Sequence, residues 1–197
     1  MRLPYVSEDP KFDDPEDQAI VARVQERRGY GGLLDLDRAL LHAPPIADGW
    51  NGFLGSIRTQ TSLSQSVSET AICRVAVLNK AHYELSHHAP LLLYASNTTI
   101  TPTHITALES TPPHHHPTPP FDAAHSAVLA YTDAMTLSVQ VPEAVFALLK
   151  QHFNEREVVE ITATIAAYNC VSRFLVALDV GEMNGKKWDG RPEVEES

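Results

Sequence analysis

The sequence predicts an all-α fold in one domain. No segment alternates polar and apolar residues with the period of two that marks a half-buried strand. Apolar residues instead recur at helical spacing in several stretches, and residues that favour helix starts and ends separate these stretches. The chain has 197 residues, of which 43% are hydrophobic, so it can form a core of its own.

Local signals place the helix boundaries. Asp14 can cap a first helix, Pro15 suits its first position, and the glycines from Gly29 end it. Pro44 and Pro45 are expected to end the second helix. The first helix is thus expected from Asp14-Pro15 to the residue before Gly29, and the others at 36–42, 46–57, 64–79, 81–94, 103–108, 122–137, 142–153 and 155–178.

Two of these helices have special features. Pro90 lies inside 81–94, where it removes a backbone hydrogen bond, so a kink or two abutting helices are expected near His88. The stretch 155–178 is nearly continuous in apolar and small residues and is expected to be central and buried. The domain is expected to span 14–181, with an extended arm at 1–13 and a flexible tail at 182–197.

Charge and cysteine content exclude several classes of protein. The chain has 15 Lys and Arg against 25 Asp and Glu, and it lacks the basic cluster of a general nucleic-acid binder. No run approaches the roughly 18–20 apolar residues of a membrane span, and the polar N-terminal residues do not resemble a secretory signal. With only two cysteines, a disulfide framework is not expected. We therefore expect a soluble, cytoplasmic protein.

The stretch from Glu69 to His88 carries the candidate chemistry. Glu84 is three residues before His87 and four before His88, so a helix would place all three on one face. Glu69 lies on the preceding helix and could approach them if the two helices pack antiparallel. Carboxylates beside an imidazole can move a proton near neutral pH. Glu69, Glu84, His87 and His88 are therefore the candidate catalytic residues.

This stretch, ETAICRVAVLNKAHYELSHH, resembles the carboxymuconolactone decarboxylase family, which includes the AhpD-type alkylhydroperoxidases. The peroxidase branch has a Glu, then Cys-x-x-Cys, then three residues and a His. Aligned from Glu69, its cysteines fall on Ala81 and Glu84, and its histidine falls on His88. The text RVAVLNKAHYELSHHAPL is closer to the cysteine-free, decarboxylase-like branch. The resemblance covers residues 35–95 well and 5–180 more loosely.

The resemblance implies an AhpD-like helical fold, a small-molecule substrate and a homo-oligomer, either a trimer, a hexamer or a dimer. It further implies decarboxylation of a small carboxylated lactone or a related unsaturated acid, with no metal or organic cofactor. AhpD-type thiol peroxidase activity is disfavoured because both motif cysteines are absent. Cys73 is expected to be a buried, inert thiol.

Roles follow for the individual residues. His88 is expected to be the general acid, with Glu69 orienting or reprotonating it, and Glu84 or His87 is expected to contact substrate. The candidate substrate-binding residues are Trp50 and Tyr83, as pocket walls, and Arg74, whose competing role is an exposed salt bridge.

Four alternatives stay open. The Glu84-x-x-His87 spacing occurs in helical di-iron proteins, but they need a second such motif, which the sequence lacks. The run His114-His115-His116 could bind metal, although structural insignificance in an exposed proline loop is expected. The same acid–base residues could open a lactone, isomerise a double bond or dehydrate a substrate. The fold could also be a non-catalytic oligomeric binding module, and inward-facing Glu69 and His88 would favour an enzyme instead.

Overall fold

The computed structural model describes residues 1–96, 98–116 and 118–186, and within these ranges it contains nine α-helices and no strand. The all-α prediction is therefore confirmed. The tail expected at 182–197 lies largely outside the described residues. The helices are α1 (Pro15–Arg28), α2 (Asp35–Leu40), α3 (Pro44–Thr59), α4 (Gln65–Asn79), α5 (His82–Leu93), α6 (Pro102–Ser110), α7 (Ala123–Ser138), α8 (Glu143–Lys150) and α9 (Glu155–Leu178).

The chain forms two compact units. The first comprises residues 1–60 and 177–182, and the second comprises 61–176 with the chain from Met183. The domain boundaries expected at 14 and 181 stay predictions.

The first unit contains α1 to α3, with α1 packed on α3. Asp14 caps α1 by accepting a 2.8 Å hydrogen bond from the Glu16 N–H, and Gly29 follows the last turn with a φ of 64°. Both ends of α1 are therefore where the sequence placed them. The role given to Pro44 was wrong, because it begins α3 rather than ending α2. A proline at the first helical position loses no hydrogen bond, since that N–H has no helical partner.

The second unit is built on α4, which packs against both α5 and α7. Ser64 caps the start of α4, and Lys80 ends the helix in the left-handed conformation at a φ of 55°. The Ala81 N–H then donates back to the Ala76 carbonyl at 2.8 Å. This tight two-residue turn folds α5 back against α4, which places Glu69 and His88 in the same unit.

Helix α5 runs without a break through Pro90. The division into two helices, one of the two outcomes expected at this proline, is wrong. Leu85, Ala89 and Leu92 lie in the hydrophobic core of the second unit, on both sides of the proline. Their burial offsets the one backbone hydrogen bond that the proline removes.

Contrary to the expectation that no run approaches a membrane span, α9 is, by length and composition alone, long and apolar enough to cross a membrane. Its apolar 18-residue window has a mean hydropathy of 1.4, and 44% of that window is buried inside the fold. The core helix of a soluble protein meets the same criterion, so this is weak evidence for a membrane span. The buried side includes Ile161, Ile165 and Leu175, as expected for a helix that contributes to a core.

A buried ion pair joins α4 to α7. The Arg74 Nε donates to Asp133 Oδ1 at 2.7 Å and its Nη2 donates to Oδ2 at 3.0 Å, and both residues are buried. The Arg74 Nη1 donates to the Leu108 carbonyl at 2.7 Å. The salt bridge expected for Arg74 therefore exists, but it is internal rather than exposed.

The histidine run is attached to the same carboxylate. The His116 Nε2 and the His114 backbone N–H each donate to Asp133 Oδ2 at 2.7 Å. The His116 side chain is only 5% exposed. The expectation that this run is structurally insignificant was therefore wrong. The local sequence could not indicate these contacts, because the acceptor Asp133 lies 17 residues after His116.

These contacts predict a loss of stability in acid. Burial alone would raise the pKa of Asp133, but the bonds from His116, Arg74 and the His114 N–H hold it at about 2. A carboxyl with a lowered pKa in the folded protein stabilises the fold above its unfolded value, and that contribution disappears as pH falls toward the folded value. As pH falls from roughly 4 to 2, we expect protonation of Asp133 to lower the free energy of unfolding by about 2 kcal/mol.

The measurement is urea unfolding followed by circular dichroism across this pH range. In Asp133→Asn, the acid-dependent loss should be smaller by the same amount, because the variant lacks the titrating group. Parallel pH curves for the two proteins would contradict the assignment.

Candidate active site

The centre of the candidate site is a buried carboxylate–imidazole pair. The His88 Nδ1 lies 2.6 Å from Glu69 Oε2, and the two residues are 7% and 5% exposed. With a carboxylate as partner, Nδ1 donates the hydrogen bond, and Nε2 becomes the nitrogen that can gain or lose a proton. The antiparallel approach expected from the sequence therefore brings these two groups into direct contact.

Glu84 lies one turn before His88 on α5 and is 1% exposed. The Ser172 hydroxyl donates to Glu84 Oε2 at 2.9 Å. Burial raises the pKa of the Glu84 carboxyl well above its usual range, and the bond from Ser172 only partly opposes this rise. Such a carboxyl tends to hold a proton, whereas Glu69 faces a positive partner when His88 is protonated.

Cys73 lies one turn after Glu69 on α4 and is completely buried. Burial raises the pKa of its thiol well above the usual range, and the nearby Glu69 carboxylate raises it further. A thiol must ionise to act as a nucleophile, so these surroundings suppress its reactivity. The burial expected for Cys73 is confirmed. Cys170, the second cysteine, is exposed on α9.

Two residues of the site were missed by sequence reasoning, Tyr168 and Ser172. Both are on α9 and both are buried. The Tyr168 ring packs edge-on against the His88 ring, with centroids 4.9 Å apart. Their spacing of four puts them on one face of α9, and this polar pair within an apolar helix was the available signal. Nothing in the sequence indicated which helix that face contacts.

His87 and Tyr83 form a separate contact on α5. The two rings are 4.3 Å apart, and the His87 Nδ1 donates to the Tyr83 carbonyl at 2.8 Å. His87 is half-buried, whereas Tyr83 is 7% exposed. His87 therefore makes its described bonds on its own helix, and its role in contacting substrate stays a prediction.

The remaining candidate substrate-binding residues lie elsewhere. Trp50 is half-buried on α3, in the first unit, and its role as a pocket wall stays a prediction. Arg74 is in the second unit, but its guanidinium is already bonded to Asp133 and to backbone carbonyls. Three of its nitrogens are thus engaged, so it is poorly suited to hold a substrate carboxylate.

Metal ligation has no candidate among the residues that the structure describes. No three His, Cys, Asp or Glu side chains are grouped there in a way that could hold an ion. Glu84 bonds Ser172, and the His87 Nδ1 bonds a backbone carbonyl. One oxygen of Glu84 and one nitrogen of His87 are therefore used in protein contacts.

Comparison with solved structures identifies the fold. An AhpD core protein from Ralstonia eutropha, a peroxidase-related protein, superimposes with a TM-score of 0.72 over 91% of this chain and 90% of that chain, at 16% identity. The chain has the AhpD-like fold. The fold implied by the sequence resemblance is thereby confirmed.

Further AhpD-like neighbours agree. A peroxidase-related protein from Silicibacter matches with a TM-score of 0.69 and 21% identity, covering 90% of this chain and 91% of that chain. The debrominase Bmp8 matches with a TM-score of 0.64 and 18% identity over 85% and 86% of the two chains. One structure of that debrominase is a complex with 2,3,4-tribromopyrrole. The sequence matches no protein-family model and no curated protein.

Proposed function

We propose that this protein is a cofactor-independent enzyme that moves a proton at a carbon atom next to a conjugated carbonyl group. The reaction most consistent with the sequence resemblance is decarboxylation of a small carboxylated lactone or a related unsaturated acid. The observation that carries the proposal is the buried 2.6 Å pair between His88 and Glu69. A surface Glu–His pair would have no such role, but a buried pair sets both the tautomer and the orientation of the imidazole.

The roles follow from this geometry. As the C–C bond to the carboxylate breaks, CO2 leaves and the bonding electrons enter the conjugated carbonyl as an enolate. Protonated His88 then delivers its Nε2 proton to carbon, and the enolate electrons return to form the new C–H bond. Glu69 stabilises the imidazolium before this transfer, and solvent reprotonates His88 afterwards. The substrate carbonyl accepts the electrons, so the scheme requires no cofactor.

Thiol chemistry is the less favoured reading. An AhpD-type peroxidase needs two reactive sulfurs, and Ala81 and Glu84 occupy the positions where that motif has cysteine. Cys73 is buried and its pKa is raised, so it is a poor nucleophile.

A small unsaturated ring as substrate is supported by one structural neighbour. The debrominase Bmp8, which has this fold, was solved in complex with 2,3,4-tribromopyrrole.

A second reaction class is favoured by one observation. Because Arg74 is bonded to Asp133, the obvious cation for a substrate carboxylate is engaged elsewhere. Isomerisation, dehydration or opening of a neutral unsaturated lactone would use the same proton transfer without that cation. A non-catalytic binding module is less favoured, since it gives no reason for an imidazole and a carboxylate to be paired away from water.

We further propose that the protein is cytoplasmic and acts on small molecules as a homo-oligomer, without binding nucleic acid or inserting into membranes. The oligomer is implied by the sequence resemblance. The net charge of −10 opposes contact with nucleic acid and with anionic lipid surfaces.

The test is a substrate screen with purified protein. Carboxylated lactones, their decarboxylated analogues and alkyl hydroperoxides are incubated side by side, and the products are identified by mass spectrometry. We expect turnover of at least one lactone and no thiol-dependent peroxide consumption. Peroxide consumption that disappears in Cys73→Ser would contradict the proposal, and so would lactone turnover that is unchanged in His88→Gln.

A further inference from the structure

Glu84 is a buried carboxyl with one bonded oxygen and one unbonded oxygen. Oε2 accepts from the Ser172 hydroxyl, whereas Oε1 is buried and has no hydrogen-bond partner in the part of the chain that the structure describes. A buried, unpaired oxygen is costly, and it is costlier still when it carries a charge. Such an atom in a native protein calls for an explanation in terms of a proton or a ligand.

The groups around Glu84 indicate where its proton resides. Cys73 on α4 and Ser172 on α9 face it, and Glu69 is close to the same thiol. None of these three groups is a cation, and the charge of His88 is balanced by its own bond to Glu69. Because Ser172 donates to Oε2, that oxygen acts as the carbonyl, and the acidic proton belongs on Oε1. Burial favours this neutral form.

We propose that Glu84 binds the substrate as a neutral carboxylic acid, donating a hydrogen bond from Oε1 to the carbonyl oxygen that becomes an enolate oxygen during the reaction. This inference rests on the proposed function and requires a substrate whose conjugated carbonyl oxygen can accept a hydrogen bond. His88 then acts at the carbon of the substrate and Glu84 at its oxygen, from successive turns of α5.

The neutral acid suits this task because charge develops on the substrate oxygen. An ionised carboxylate would repel that charge, whereas an O–H donor shortens and strengthens its hydrogen bond as the charge grows. In a dry site such a fixed donor stabilises the transition state more than the ground state. The proton can stay on Glu84 throughout, so the electron and proton balance of the reaction does not change.

The protonation state can be tested without any substrate. At neutral pH the infrared spectrum in D2O should contain the C=O band of a protonated carboxyl, and Glu84→Gln should remove it. Glu143→Gln is the matched control, because that glutamate is exposed on α8 and its removal should leave the band in place. Absence of the band in the wild-type protein would overturn the proposal.

Stability provides a second readout of the same proton. A carboxyl with a raised pKa in the folded state lowers stability as pH rises above its unfolded value of about 4.5. The unfolding equilibrium constant of the wild type, divided by that of Glu84→Gln, should therefore rise about tenfold per pH unit until the folded pKa is reached. A ratio that does not change with pH would show that Glu84 is ionised in the folded protein.

Donation to an oxygen is tested with 4-nitrophenol, whose phenolate imitates an enolate and absorbs visible light. The wild type should bind it about tenfold or more tightly than Glu84→Met, which keeps the volume but has no donor. Glu84→Gln, which retains an amide N–H, should fall between them. Equal affinity of the wild type and Glu84→Met, or no binding by the wild type, would overturn this role.

The phenol assay separates this inference from the proposed function because it requires no turnover. Phenol binding that depends on Glu84, without turnover of any lactone, would leave the inference standing and remove the proposed reaction. Lactone turnover that depends on His88 but not on Glu84 would support the proposed reaction and overturn the inference.

Discussion

Glu69→Gln is expected to lower kcat on a lactone substrate by roughly 10²–10⁴-fold. The glutamine amide can donate to the His88 Nδ1, where the carboxylate can only accept, so the variant favours the opposite tautomer of the imidazole. In that tautomer the neutral ring carries its proton on Nε2 instead of Nδ1. When the ring is protonated, no negative charge at position 69 stabilises the imidazolium. The 2.6 Å spacing leaves no room for an intervening water to restore the original arrangement.

The measurement is steady-state kinetics of the wild type, Glu69→Gln and His88→Gln, with Glu143→Gln as an exposed control. The loss should appear in kcat rather than in KM, because both groups act on the transferring proton. The double variant Glu69→Gln/His88→Gln should be little worse than His88→Gln alone, since the two residues act as one unit. Additive losses, or an unchanged kcat in either single variant, would contradict the relay.

The second large effect is expected on stability. Arg74→Met should destabilise the second unit by about 3–5 kcal/mol, because it leaves the buried Asp133 carboxylate without its cation. Breaking a buried pair costs more than the pair contributes, since the remaining charge stays away from water. The effect is measured as the change in the free energy of unfolding in urea at neutral pH.

Arg156→Met is the matched control in the same unit. The Arg156 side chain is 69% exposed and pairs with Glu160 one turn away, so its loss should cost less than about 1 kcal/mol. In the double variant Arg74→Met/Asp133→Leu, part of the lost stability should return, because no buried carboxylate remains. The recovery should be incomplete, because His116 and the His114 N–H lose their acceptor. If Arg74→Met and Arg156→Met are equally stable, the buried pair does not stabilise the fold more than the exposed pair does.

Local signals were sufficient for most of the helix boundaries. Asp14 was readable as a helix cap because a cap requires only a short side chain and a nearby N–H. The two proline errors have different physical causes. Pro44 takes the first position of α3, where a proline loses no hydrogen bond, as Pro15 does in α1. Whether Pro90 divides a helix depends on packing that local propensity does not describe.

The candidate site was only half predictable. Glu69 and His88 could be paired from sequence because a two-residue turn joins their helices, so few arrangements of α4 and α5 were possible. Tyr168 and Ser172 could not be assigned, since they lie 80 and 88 residues after their partners His88 and Glu84. The partner of Arg74 was hidden for the same reason, because Asp133 is 59 residues distant.

The sequence by itself determined the helical class, the loss of both motif cysteines and the presence of acid–base groups on two adjacent helices. Only the tertiary structure decided that Glu84 is buried with one unbonded oxygen, that Cys73 has no access to water and that Arg74 is held by Asp133. The physical reason is that residue type and spacing fix which groups share a helix face. The charge state and availability of a group, by contrast, depend on burial and on partners that distant segments supply.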